Sequence, residues 1–392
     1  MKAKNIKKLD SNYIKIENRK LVFTHIFNHP GISRPEIVAH TKLSSASVGR
    51  ITDDLLKKGL IKEYDSDARN VGRRPMLLRV CGESVPAVAI ELERSRQVCA
   101  VIDLTGKIHY RTERNICISE YNIQDVCRVI RDMFDEVIAQ PDLSRKNFSG
   151  IGIALPGLVD LDSGMIRLSS HFHWRNVPFG AIIQEYFSGM TIVIDNEMNA
   201  HALAESIYGE LQYEQNAVII GIGSGVGAGI ISNGHIYRGD NNTVGEVGHI
   251  IMDPNGKMCE CGRYGCLETF VTDWALVEDA RRHMPDACIN DIVTAADLGE
   301  QWAISIIERF VKYTKTAISY FECLLNPGVV VLSGYMLEEY PGLVKRILEY
   351  DTSYMSDAFK TSFRLTMSGL GRDGALTGAA IQLLHKVYDE YI

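Results

Sequence analysis

The sequence has no uninterrupted apolar run of about 18 residues, the length that a bilayer-spanning helix requires. Its first residues, Met1-Lys2-Ala3-Lys4-Asn5, lack the apolar core of a signal peptide. Together these absences lead us to expect a cytoplasmic protein with no membrane partner. Ordered cysteine spacing is missing over most of the chain. The nine cysteines are an odd number, and six of them (Cys81, Cys99, Cys117, Cys127, Cys288, Cys323) follow no pattern, so they read as reduced, buried small hydrophobes. A positive net charge is absent too: the formal value is −7, which at first argues against a nucleic-acid partner.

What is present changes that view. The 392 residues exceed what one core usually organises, and 46% hydrophobic with 23% charged residues is the balance of an ordinary globular protein of two or three domains. Divided along the chain, the charge is uneven. Residues 1–80 hold 17 Lys and Arg against 8 Asp and Glu, a balance of +9, and the remainder holds 25 against 41, a balance of −16. One segment is therefore suited to a polyanion and the other is not.

In the basic segment, Leu21, Val22, Ile26 and Phe27 recur at helical spacing over residues 18–28, and His29-Pro30-Gly31 stops the run. Ser33 stands three residues before Glu36, a capping-box spacing, with Pro35 in the first turn of a second short helix that ends near Thr41. Ser44 can cap a third helix with Val48, Ile51, Leu55 and Leu56 inside, up to Gly59. Its other face offers Ser45, Ser47 and Arg50, short polar groups and a cation at the end of a helix that follows a tight turn, as a major-groove reader needs. Residues 60–64 and 76–80 read as two strands around Gly72-Arg73-Arg74-Pro75, a wing with a basic tip suited to phosphates or a narrow minor groove. Arg34, at the start of the second helix, joins the candidate DNA contacts. We expect a winged helix-turn-helix over 1–82 whose partner is a double-stranded DNA operator.

From residue 83 to 392 short apolar strands alternate with helices, the texture of an α/β domain. Residues 87–91, 98–102 and 108–110 read as consecutive strands, 123–138 as a helix, and 150–157 as a buried strand with its turn. Residues 192–205 run from a strand into a helix and place Asp195, Asn196, Glu197 and Asn199 at the strand end, where open α/β sheets bind ligands. Carboxylate and amide groups there suit vicinal hydroxyls; helix capping by Asp195 or Asn196 is the plainer reading. A glycine-dense hairpin follows over 221–231, a weak signal by itself because glycines permit both a phosphate or sugar to approach and strands to cross tightly. The firmest signal is Gly245-Glu246-Val247-Gly248-His249 followed by Cys259, Cys261 and Cys266. Three thiolates and an imidazole, His249, make a closed tetrahedral set for structural Zn2+. Unligated thiols or a redox switch are the alternatives.

These motifs resemble the ROK family of repressors, uncharacterised reading frames and sugar kinases, over nearly the whole chain. The resemblance rests on the Gly-Arg-Arg-Pro wing, Leu155-Pro156-Gly157, the segment from Asp195 to Asn199, the glycine hairpin, the 245–249 motif and the cysteine cluster. It implies an actin-like, ribonuclease-H-like domain of two lobes, a homodimer or tetramer, and sugar contacts at Asn196, Glu197, Glu246, His249 and Glu268. Two departures from the kinases follow. Where they carry an Asp-x-Gly-Gly-Thr phosphate loop, this chain has Glu91-Leu92-Glu93-Arg94-Ser95-Arg96, and Glu197 replaces the catalytic aspartate. A transcriptional repressor of sugar-utilisation genes, controlled by a sugar or sugar-phosphate effector, is the expectation. An active sugar kinase with a DNA-binding appendage, a metal-responsive repressor and control by a regulatory protein partner remain open, and Arg167, Arg175 and Arg238 are candidates for an effector phosphate.

Overall fold

The computed structural model describes residues 11–65, 76–82, 86–143, 148–349 and 363–391. Helices Ser11–Asn28, Arg34–Thr41 and Ser45–Lys57 precede strands Ile61–Asp65 and Met76–Val80. The short strand Ile32–Ser33 pairs with Met76–Val80 and completes a three-stranded antiparallel sheet, the winged helix-turn-helix arrangement. Local chemistry sets the boundaries. Ser33 and Glu36 form the expected capping box, Lys42 takes a left-handed turn (φ 57°), and the Ser44 side chain accepts from the Ser47 amide. Val22, Ile26, Ile37, Val48 and Leu55 are fully buried, but Leu21 faces solvent and Phe23 takes the inner position.

Two five-stranded sheets follow with one strand order. In the first, Ile192–Asn196 lies parallel to Ile151–Leu155, which lies parallel to Ala87–Leu92; Gln97–Ile102 and Ile108–Arg114 continue antiparallel. In the second, Arg364–Met367, Val329–Ser333 and Asn216–Ile222 are parallel, and Val226–Ser232 and His235–Ile236 continue antiparallel. Each sheet has its own core. Val88, Ile90, Ile130 and Phe134 centre the first lobe, and Val218, Ile220, Phe310 and Val330 the second. An added small sheet, Leu158–Asp160, Met165–Ser169 and Trp174–Val177, extends the first lobe, and the helices between Glu268 and Leu325 belong to the second. Neither was legible in the periodicity.

The lobes share a helical seam. Helix Gly374–Tyr391 crosses helix Glu197–Tyr208 so closely that a Cβ at Gly378 would drive into the Ala200 carbonyl, and one at Gly374 into the His201 ring. Only glycine admits this approach. One continuous core then runs from that seam across the first sheet to the winged helix, where Phe27 meets Tyr208 edge-on at 6.3 Å between ring centres.

Of the six scattered cysteines, Cys99 and Cys127 are buried, and burial pushes the Cys127 thiol up to about 12. Cys81 is half-buried. Cys117, Cys288 and Cys323 are exposed, contrary to the expectation that all six sit inside, because isolated cysteines carry no periodicity from which burial can be read. No helix among the described residues is long and apolar enough to cross a membrane.

Candidate functional site

The cleft between the lobes is walled by two hairpin turns, one from each sheet, and floored by the start of helix Glu197–Tyr208. On the first-lobe side the turn after Ala87–Leu92 is filled by the protein itself. The buried Arg96 guanidinium lies 2.8 Å from Glu93, 3.5 Å from Glu91 and 3.4 Å from Glu113, and the Glu93 amide is used by the Arg96 carbonyl. Arg111 carries the network on to Glu113 and to Asp373 ahead of the seam helix. On the second-lobe side the turn is Gly223-Ser224-Gly225, with Tyr335 and His171 beside it and Ser224 Oγ 3.4 Å from His171 Nε2.

Glu197 opens its helix at the cleft floor. Burial raises its carboxyl well above the ordinary value, and Glu93, Glu91 and Glu246 add to the shift by repulsion. Glu91 is pushed up to about 8, first by burial and then by Glu93, with Arg96 pulling the other way. Crowded carboxyls that resist ionisation can both donate to and accept from a polyol, whereas the negative phosphates of a nucleotide gain nothing there.

Asn196 is held differently. Its Oδ1 accepts from the Met198 and Asn199 amides and its Nδ2 donates to the Gly157 carbonyl, so the plainer capping reading describes it. Asp195 is buried in a fork with Arg238, at 2.8 and 2.6 Å, and accepts from Gln382. Arg238 is therefore occupied as a phosphate candidate, as is Arg167 with Asp160; Arg175 is exposed on its strand.

The structure brings Glu246, His249 and Glu268 together over the cysteine cluster. Gly245 (φ 99°) lies so near the Ala228 carbonyl that a side chain would clash, and this lays Glu246 against the hairpin. His249 Nε2 is 3.9 Å from Glu246 and its Nδ1 3.7 Å from Glu268. The same Nδ1 is 3.5 Å from Cys259 Sγ, and Cys261 and Cys266 are 3.7 Å apart. Ligand atoms of all four residues lie within 4.8 Å of one another, so His249, Cys259, Cys261 and Cys266 can hold a metal ion. The donor chemistry fits a thiophilic cation. Burial opposes ionisation at Cys261, yet hydrogen bonds from Arg263 and the neighbouring thiols prevail and bring it to about 7. Glu268 Oε1 stands 2.7 Å from Cys259 Sγ and on the same side of the His249 ring, so this carboxylate belongs to the cysteine cluster, and Glu246, His249 and Glu268 sit beside the cleft lined by Glu197 rather than on its wall.

On the winged helix, Ser45 and Arg50 are exposed on the third helix, and Ser47 is half-buried with its hydroxyl 2.9 Å from Ser44. Arg34 is engaged internally: it donates to Thr52 at 2.9 Å and pairs with Asp53 at 3.0 Å and with Glu63, tying the second helix to the third and to the wing. Arg73 and Arg74 lie outside the described residues.

Sequence reasoning missed His171 and the Tyr335 hydroxyl, which donates to Asp273. The only hint of the former was the dense run His171-Phe172-His173-Trp174, and Tyr335 had none.

The ROK family model matches residues 87–386. The chain belongs to the ROK family. This ROK chain is 27% identical over 370 residues to a xylose repressor from Bacillus subtilis, covering 94% of this chain and 95% of that one. It is 30% identical over 378 residues to the DNA-binding transcriptional dual regulator NagC from Escherichia coli, covering 94% and 92%. Among solved structures, a ROK family transcriptional regulator described as a homologue of the E. coli MLC protein superposes with a TM-score of 0.79 at 28% identity, over 96% of this chain and 97% of that one. A ROK hexokinase from Thermus thermophilus shares the fold, with a TM-score of 0.66 at 24% identity over 78% of this chain and 100% of its own.

Proposed function

We propose that this ROK chain is a cytoplasmic DNA-binding repressor of sugar-utilisation genes whose kinase-like domain binds a sugar or sugar derivative without phosphorylating it. The observation that carries this reading is the cleft itself: its glycine turn is open, while its phosphate-side turn is closed by Arg96. Similarity to a xylose repressor and to NagC across more than nine-tenths of the chain supports it, whereas the hexokinase likeness covers 78%.

In this reading residues 1–82 bind the operator and residues 83–392 the effector. Ser45, Ser47 and Arg50 meet base edges, Arg73 and Arg74 meet phosphates or the minor groove, and Arg34 positions the third helix. A homodimer or dimer of dimers reads a two-fold operator. Glu197, Glu246, His249 and Glu268 contact the sugar, and Asn196 holds the turn that presents Glu197. His249, Cys259, Cys261 and Cys266 would hold zinc, and an imidazole so held would keep its orientation beside Glu246, from which its Nε2 is 3.9 Å away.

Helix Glu197–Tyr208 then links the two functions. Its first residue floors the cleft and its last touches Phe27 of the winged helix, while the Tyr208 hydroxyl donates to the Leu104 carbonyl. Lobe closure around an effector moves one end, and the DNA-binding domain feels the other. Coupling of this kind weakens operator affinity roughly 5- to 150-fold.

The test is operator binding with and without a panel of aldoses and amino sugars. Glu246→Ala and Tyr208→Leu should both bind operator as the parent does and fail to release it when the effector found for the parent is added. Release as in the parent would remove the cleft or the helix, respectively, from the mechanism. ATP-dependent sugar phosphorylation by the parent would favour the kinase reading.

A further inference from the structure

Three histidines converge on the winged helix, remote from the cysteine cluster in sequence. His25 and His29 are four residues apart, at and just beyond the end of helix Ser11–Asn28, and His40 lies in the last turn of Arg34–Thr41. Their ring centres are 6.0 Å (His25 to His29), 5.6 Å (His25 to His40) and 5.9 Å (His29 to His40) apart. One ring nitrogen from each lies within 4.8 Å of the others. None of the three imidazoles makes a hydrogen bond or ion pair among the described residues.

We infer that His25, His29 and His40 form a second metal site, for a divalent transition-metal ion of the nickel or zinc class, which staples the first helix of the DNA-binding domain to the second. Imidazoles four residues apart share one face of a helix and can chelate one ion, and a third ligand from a neighbouring helix turns that chelate into a cross-link. Metal–nitrogen bonds of about 2.0–2.1 Å at tetrahedral angles hold the nitrogens roughly 3.3 Å apart, so nitrogens that lie within 4.8 Å must close by up to about 1.5 Å. His29 and His40 are exposed and free to rotate by that amount, while the half-buried His25 fixes the centre. Three nitrogen ligands leave a position for water, and imidazole selects nickel, copper or zinc over calcium or magnesium. His40 stands two residues before Lys42, whose left-handed turn hands the chain to the third helix. An ion here therefore holds the turn from which Ser44 to Arg50 project.

The inference is independent of the sugar and operator assignments and is tested without either ligand. The full chain, loaded with zinc at the cysteine cluster, is titrated with Ni2+ by calorimetry, with released zinc measured alongside so that displacement is counted separately. We expect one further equivalent of Ni2+, accompanied by a rise in melting temperature from selective binding to the folded chain. The His29→Ala/His40→Ala variant alters only exposed side chains and should keep the parent melting temperature without nickel, yet lose both the equivalent and the rise. No further equivalent in the parent, an equivalent matched by zinc release, or one that survives in the variant would each overturn the site.

Discussion

The two lobes use one strand order and place the same hairpin turn at the cleft, yet the two turns are chemically opposite. After Leu92 the turn reads Glu93-Arg94-Ser95-Arg96, and its buried guanidinium reaches Glu93 of the turn and Glu91 and Glu113 of the adjoining strands. After Ile222 it reads Gly223-Ser224-Gly225, and among the described residues the atoms nearest to a Cβ built on its glycines are those of the Tyr335 and His171 rings. A shared topology therefore dictates where a cleft forms, and the side chains of the turn dictate which half of it accepts a ligand.

The largest expected effect separates the lobes by their dependence on metal. Cys266 is buried in the loop that packs on the second-lobe core, so if the cluster holds the zinc proposed for it, Cys266→Ser should abolish that binding and cost about 4–5 kcal/mol, as loss of a structural ion does. Elemental analysis and calorimetric unfolding check this, and first-lobe amides should keep their hydrogen-exchange protection. Uniform loss of protection across both lobes would break the comparison.

Next is Arg96→Ala, which leaves Glu91, Glu93 and Glu113 without their shared cation. Roughly 1–2 kcal/mol of stability should be lost in denaturant unfolding, because the buried Glu91 carboxyl loses its hydrogen-bonding neighbour while the partly exposed Glu93 and Glu113 are compensated by water. An unchanged midpoint would mean that the turn is not held by this network.

The same network makes stability pH-dependent. A carboxyl raised on folding contributes stability in full below the ordinary value of 4.5, and that contribution is lost as pH rises through about 8. Thermal unfolding between pH 5 and 9, a range chosen to bracket that value, should show a melting temperature that falls with pH, and Glu91→Gln should flatten the fall. Glu205 works in the opposite sense. Hydrogen bonds from His201, Ser368 and two backbone amides overcome its burial and hold it at about 2, so its contribution is whole above 4.5 and is lost as pH falls from there through about 2.

The smallest structural change sharpens the comparison most. A Cβ at Gly225 would stand 2.8 Å from the His171 ring, a side chain that can move, so Gly225→Ala should cost less than about 1 kcal/mol of stability while lowering effector affinity. Ser95→Ala, at the exposed tip of the opposite turn, should change neither. Equal effects of the two on effector binding would show that the turns are not distinguished as described.

Much of the fold was legible because it is written in short-range pattern. The second and third helices of the winged domain end within a residue or two of their expected bounds, since capping by Ser33 and Ser44 is a matter of three or four residues. Helix Ile123–Ile138 was readable from its apolar stripe, and Met76–Val80 from its run of hydrophobics. The cysteine cluster was legible for the same reason: Cys259, Cys261 and Cys266 lie on one short loop and need only His249 from the preceding turn.

The sequence by itself determined many of the helices and strands, which segment is basic, and which four residues can share an ion, because each depends on short-range pattern. Only the tertiary structure decided what the polar side chains do. Arg34 and Arg238 resembled ligand contacts until Glu63 and Asp195 were seen to hold them, 29 and 43 residues away. Asn196 proved to be a cap, Arg96 a seal over the first-lobe turn, and Tyr208 the meeting point of helix Glu197–Tyr208 and the N-terminal winged helix. A charged or amide group satisfies whichever partner folding brings within about 3 Å, and leaving it unpaired in a buried place is costly. Which partner arrives is a property of how the sheets and helices pack, and local spacing does not encode it.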